Sequence, residues 1–290
     1  MPLIIDKFKK NKDEESKIKK TILSNNSTLL GIPYYILLFG LIVFPFFIMV
    51  LYAFSSTSGS IFQIEFTLKN FAMFFNEKLF VKTMFESLYL AALSTVFTLL
   101  VGYPLAYFIT KQSRRKQALL IALITSTMWV NMLIRANALK QVTEMFAPKL
   151  LGTDFIIILG NVYMFLPFMV LPIYTILSRI DKSLLQGAAD LGATPLQTFR
   201  RVVLPLSLSG VVSGSMMVFL PAATTLIVPK YLGDGKRILI GKLIEDAVLQ
   251  SHNYGYGAAV SIVIGVILIG FIVLLKKVDK YDEVLSNEED

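Results

Sequence analysis

The sequence predicts an all-α integral membrane protein. It should have six transmembrane helices, both termini inside, and one compact polar element between spans four and five. Three observations carry that expectation. Apolar residues make up 55% of the 290-residue chain and charged residues only 17%, against about 25% charged in a soluble domain. Six runs approach the ~20 apolar residues needed to cross about 30 Å of hydrocarbon. The basic side chains cluster in alternate loops, as the positive-inside rule requires.

The expected spans are residues 32–54, 87–110, 118–134, 155–177, 204–228 and 258–275. The first is preceded by a long polar stretch and exceeds a signal-peptide core, so it reads as a span and not a cleaved leader. Residues 1–30 form a charged arm rich in lysine (Lys7, Lys9, Lys10, Lys12, Lys17, Lys19, Lys20). That arm is either disordered or a helix lying on anionic lipid. Residues 31–82 hold the first span and an outer loop with phenylalanine at 62, 66, 71, 74, 75 and 80, expected to pack on the membrane surface. The loop "KQSRRKQ" carries Lys111, Arg114, Arg115 and Lys116, and the loop after span four carries Arg179, Lys182, Arg200 and Arg201. With Lys276, Lys277 and Lys280, these face the cytoplasm, and residues 278–290 form a cytoplasmic tail. The net charge of +8 is therefore explained by anchoring, without an acidic ligand or nucleic acid. In the last outer loop, Gly233 and Gly235 mark a turn, and residues 238–249 read as a short amphipathic helix.

Several chemistries are excluded. The chain has no cysteine and one histidine, His252, which removes thiolate chemistry and leaves little for imidazole. No phosphate-cradling GxxxxGK[ST] loop, HExxH or GxSxG occurs. The spans hold almost no ionisable groups, with Glu86, Arg135 and Asp154 at their edges. Ion-driven transporters carry buried carboxylates as relays or ligands. Neither a catalytic residue, a metal nor a cofactor is expected, and energy for uphill transport would have to enter from another protein.

The polar element is "SLLQGAADLGATPLQTFRRVVLP", residues 183–205. Ser183 with Gln186 fits a capping box that starts a helix over 184–191. Gly192 suits the left-handed position that ends it. Thr194 as N-cap, Pro195 at the first helical position and Gln197 form a second start. Leu196, Phe199, Val202 and Val203 share a face, with Arg200 and Arg201 on the other. An apolar stripe of this kind either anchors the loop at the interface or docks into a partner.

This segment resembles the cytoplasmic loop signature of ABC importer permeases: Glu-Ala-Ala, three residues, Gly, nine residues, Ile, any residue, Leu-Pro. Gln186, Gly187 and Ala188 take the first places, Gly192 the glycine, and Val202, Val203, Leu204 and Pro205 the end. Gln186 replaces the family's glutamate, which removes one possible ion pair, and Gly187 replaces its first alanine. Further segments, "NMLIRANAL", "YMFLPFMVLPIYTIL", "VFLPAATTLIVPKYLGDGKRILIGKLI" and "YGYGAAVSIVI", are similar to the B-type permeases of spermidine/putrescine importers. The fifth span reads "LPAATTLIV" where C-type partners carry an acidic, aromatic run. The resemblance implies a permease core over 83–277 with a coupling loop at Leu184, Gln186, Gly187, Ala188, Leu191, Gly192, Pro195, Phe199 and Pro205. It also implies three partners: an ABC ATPase dimer, a second, C-type permease and an extracytoplasmic substrate-binding protein. Permeases for other small solutes share the general pattern, and a membrane scaffold that docks a cytoplasmic partner without transport is the contrasting class.

A polyamine is a long cation, recognised by carboxylates or by aromatic faces. The chain offers Tyr89, Tyr103, Tyr107, Trp129, Tyr163 and Tyr174 but few carboxylates. The permease should therefore provide a weak aromatic path, with tight selection in the binding protein. Candidate pathway residues are Trp129, Asn131, Arg135, Asn161, Tyr163, Thr224 and Thr225. Trp129, Asn131 and Arg135 fit either interfacial anchoring or a gate that meets the delivery protein. Asn161, a buried amide, fits either a pathway wall or a helix–helix bond. Gly210 and Gly214 form a GxxxG packing face, and Pro221 is expected to kink the fifth span and aim Thr224 and Thr225 inward.

Overall fold

The computed structural model describes residues 33–56 and 66–278. The N-terminal arm, Phe62 and the tail after 278 lie outside the described residues. Apart from one isolated bridge between Ser55 and Phe66, regular structure among the described residues is helical. Helix α1 (Pro33–Ala53) is followed by α2 (Lys69–Asn76), α3 (Lys78–Thr110), α4 (Arg114–Trp129), α5 (Met132–Phe146) and α6 (Asp154–Arg179). Then come α7 (Lys182–Asp190), α8 (Pro195–Leu206), α9 (Leu208–Thr224), α10 (Ile227–Leu232), α11 (Ile240–Glu245) and α12 (Tyr254–Val278).

Four helices, α1, α3, α6 and α12, are long and apolar enough to cross a membrane. Two bent pairs, α4–α5 at 95° and α8–α9 at 62°, raise the number to as many as six. The third span is thus broken and not continuous as expected, and the fifth, expected to bend, does so at another position. At the first break Val130 and Asn131 are extended, and Asn131 accepts the Leu133 N–H at 2.8 Å. An asparagine that caps a new helix ends the old one, however apolar its neighbours. The second break lies at Ser207. Helix α9 runs on through Pro221, so the expected kink there is corrected to Ser207. The fifth span also ends earlier than 228, because Thr225 is extended.

Helices α3, α6 and α9 pack together around Ala91, Ala106, Ile157, Met169, Val170, Ile173 and Val218, all fully buried or nearly so. Small residues set the approach. A Cβ on Gly214 would lie 2.9 Å from Met169 Sδ and 3.1 Å from its carbonyl, and one on Gly210 would lie 3.0 Å from the Pro172 carbonyl. The GxxxG face therefore packs α9 on α6, as expected. Helix α12 joins this trio, and α1 rests on α12 through Ala53, Ala258 and Ala259.

The outer loop departs from expectation. Phe74 is fully buried, Phe71 packs on the α1–α12 contact, and Phe80 meets Tyr256 edge-on at 5.1 Å. These rings pack into the bundle, while Phe66 and Phe75 stay exposed. Helix α3 begins at Lys78, well before residue 87, because Thr83 and Met84 already have a buried face to pack. Gly214→Leu is expected to cost about 1–3 kcal/mol through overpacking. In detergent thermal unfolding it should melt below the natural protein, whereas Gly265→Leu, whose added Cβ meets nothing within 4 Å, should not.

Candidate functional site

Helices α7 and α8 and the turn between them form the polar element. Helix α7 starts two residues earlier than the Ser183–Gln186 box predicted. Asp181 is the N-cap, extended at ψ 130°, and accepts the Ser183 N–H at 2.9 Å. A carboxylate outcompetes the box because it accepts this bond with full charge at the positive end of the helix. Gln186 is consequently left exposed on the helix side. The same backbone bond holds the Asp181 carboxyl below the usual carboxylate range.

The turn is built as expected. Gly192 has φ +79°, a conformation open to glycine without a Cβ clash. Its N–H donates to the Ala189 carbonyl at 2.9 Å, and the Ala193 N–H to that of Ala188 at 3.0 Å. This pair of bonds is the Schellman closure of a helix end. Thr194 and Gln197 then bond reciprocally, at 2.9 and 3.3 Å, with Pro195 at the first helical position.

The element has two faces. Towards the bundle, Phe199 meets Tyr107 and Tyr103 edge-on at 5.4 and 5.8 Å, Val203 is buried, and Leu185 packs on the core. Away from it, Leu184, Leu196 and Leu191 are 50%, 66% and 91% exposed. Leu196 therefore leaves the stripe that sequence periodicity assigned it. Pro205 is half-buried near the bend, Gly187 is exposed and Ala188 half-buried, while Arg200 and Arg201 are exposed as expected.

The expected pathway residues divide. Trp129 is 90% exposed beside the first break, and Asn131 is the cap of α5. Arg135 and Tyr163 are brought together. Arg135 is buried, its Nη2 donates to the Tyr163 carbonyl at 2.7 Å, and its guanidinium lies 4.7 Å from the Tyr163 ring centre. The bond has a cause in the sequence. Four residues on stands Pro167, which has no N–H to return to that carbonyl. Arg135 fills the vacant acceptor, pinning α5 to α6. Its Nε has no partner.

Asn161 is fully buried between α6 and α3, donating to Ser94 Oγ at 3.0 Å. It joins two helices and has no surface to offer a pathway within this chain. Thr224 is exposed at an open apolar groove of about 370 Å³ that also includes Ile240, Ile244, Val248 and Ile264. Thr225 instead accepts the Ile227 N–H at 3.3 Å and turns the chain into α10. Of the other tyrosines, Tyr103 bonds Ser207 and Tyr174 bonds Gln117. Sequence reasoning missed Asp181 and Ser207, and named Tyr103 as an aromatic face for the path, not as the partner of Ser207. Asp181 carried a signal, an acidic residue before a helical run; the Tyr103–Ser207 bond spans 104 positions and carried none.

Two outcomes follow for this element and its neighbour. A carboxylate whose folded value is lowered stabilises above its ordinary value and loses that contribution as pH falls through the lowered one. The amide protection factor at Ser183, taken relative to the intrinsic exchange rate at each pH, should therefore fall in acid, and Asp181→Asn should flatten that dependence. Arg135→Met, which reopens the Tyr163 carbonyl, should destabilise the protein by about 1–3 kcal/mol in thermal unfolding, with Arg135→Lys falling between.

Comparison with known proteins agrees with this architecture. The family model described as "Binding-protein-dependent transport system inner membrane component" matches residues 150–280. The chain is 33% identical over 243 residues to the spermidine/putrescine transport system permease protein PotB of Haemophilus influenzae, covering 78% of this chain and 85% of that protein. It is 34% identical over 225 residues to PotB of Escherichia coli K12, covering 72% and 82%. A solved bacterial ABC transporter that imports alginate aligns with a TM-score of 0.70 at 15% identity, over 89% of this chain and 96% of that one. The MetNI methionine ABC transporter aligns at 0.53 and 19% identity, over 71% and 94%. At such identities the two structures speak for the fold alone.

Proposed function

The chain belongs to the binding-protein-dependent family of ABC-transporter inner-membrane permeases, and on that premise we propose that it is the B-type permease subunit of a polyamine importer. It carries spermidine or putrescine into the cytoplasm and draws its energy from a separate ATPase. One observation carries the substrate class: identity of 33% across 85% of a spermidine/putrescine permease. The α7–Gly192–α8 element, with its exposed leucines, gives the energy a place to enter.

The assembly comprises this chain, a C-type permease, an ATPase dimer and an extracytoplasmic binding protein. Both termini and the α7–α8 element face the cytoplasm, since the basic residues cluster there. Leu184, Leu191 and Leu196 bury in the ATPase surface beside Gln186. When ATP closes the dimer, α7 and α8 move with it, and Phe199 passes the displacement to α3. The bundle then alternates between inward-open and outward-open forms, with no covalent chemistry in this chain. Trp129 and Asn131 meet the binding protein at the outer break. Tyr163 and Thr224, which keep exposed surface, contribute to a weakly binding path. An aromatic face attracts an ammonium by about 0.5–2 kcal/mol, enough to guide a cation without holding it.

The test is ATP hydrolysis and uptake by the four-component assembly in proteoliposomes. Polyamine-loaded binding protein should stimulate hydrolysis several-fold and drive uptake. Absence of stimulation by any polyamine would remove the substrate assignment. Gly192→Val, which forces a β-branched residue into the left-handed region, should abolish coupled uptake; full uptake in that variant would remove the docking assignment.

A further inference from the structure

We propose that a hydrogen-bonded latch, Tyr103 on Ser207, fixes the angle between α8 and α9, and that Tyr103 and Ser207 are positioning residues for energy coupling. The inference rests on the coupling role given above to α7 and α8. It adds the joint by which that element engages the bundle.

The bend is the starting point. At Ser207 the helix turns by 62°, yet the residue is fully buried. A break in such surroundings must return the hydrogen bonds that it frees. The Ser207 N–H lies 3.0 Å from the Val203 carbonyl and 3.3 Å from that of Leu204. Ser207 Oγ donates to the Leu204 carbonyl at 3.1 Å. A hydroxyl has one proton, so that donation leaves Oγ an acceptor towards the Tyr103 hydroxyl at 2.8 Å. Both hydroxyl protons are used when Tyr103 O–H donates to Ser207 Oγ and Ser207 O–H to the Leu204 carbonyl.

Tyr103 holds α8 at a second point. Its ring meets Phe199 edge-on at 5.8 Å, and Tyr107, one turn along α3, meets the same ring at 5.4 Å. Both ends of the 199–207 stretch thus rest on one turn of α3. Helix α8 and the adjacent end of α3 form a unit, with Ser207 as the joint to α9. Without the Tyr103 hydroxyl the aromatic contact persists but the bend angle loses its buried tie. A push on α8 would then be absorbed at Ser207 and not passed to α9.

Tyr103→Phe separates these roles, since it keeps the ring and deletes one hydroxyl. In the assembled complex it should leave ATPase association unchanged and lower polyamine taken up per ATP several-fold. Ser207→Ala should do the same, the double variant should be no worse than either single one, and Ser207→Thr should recover coupling. A second readout is independent of substrate. The chain has no cysteine, so spin labels at Arg200→Cys and at the exposed Met217→Cys report the α8–α9 distance in the complex. Tyr103→Phe should broaden that distribution even if no polyamine proves to be the substrate. A natural transport-to-ATP ratio in Tyr103→Phe, or an unchanged distribution where the natural complex fails to couple, would overturn the latch.

Discussion

A helix surrounded by apolar groups can be interrupted only where something else takes up the backbone bonds that the interruption frees. That constraint organises this chain. Asn131 closes the start of α5 where the third span breaks. Arg135 fills the carbonyl that Pro167 leaves open in α6. Ser207, with Tyr103 behind it, closes the break in the fifth span. At each of these three departures a polar side chain supplies the missing bond.

On the proposed docking, the glutamine at 186 would cost little. Exposed leucines contribute up to about 1.5–3 kcal/mol each when fully buried. A surface ion pair contributes about 0–1 kcal/mol. In the proposed docking, burial of Leu184, Leu191 and Leu196 would outweigh the single pair that a glutamate at 186 would add. The geometry matters more than the charge: a Schellman closure at Gly192 and a capping box at Thr194 fix how the leucines are presented.

Local chemistry was legible in the sequence and long-range chemistry was not. Gly192, Thr194, Pro195 and Gln197 were read correctly because their partners lie within a few residues. The first, second, fourth and sixth spans were found because apolar length suffices to mark them. The breaks in the third and fifth were not, since hydropathy counts side chains and is blind to where a backbone bond is lost. Asn131 looked like an interfacial residue although an asparagine before an apolar helical run is also a cap. Asp181 was passed over because Ser183 and Gln186 matched a box pattern, and the carboxylate two residues earlier was the better acceptor. Asn161 was read as either wall or helix bond, and its burial against Ser94 favours the bond. The Tyr103–Ser207 contact joins elements far apart in the chain, so no local pattern announces it.

On the proposed mechanism, energy enters this protein through the exposed leucines of α7 and α8. The most direct measurement is cross-linking of the assembled transporter from single photoreactive residues at Leu184, Leu191 and Leu196, with Trp129 as the control. Adducts with the ATPase should form from all three leucine positions and none from Trp129. Adducts with the ATPase from Trp129, or none from any of the leucines in an assembly that hydrolyses ATP and transports, would contradict that mechanism.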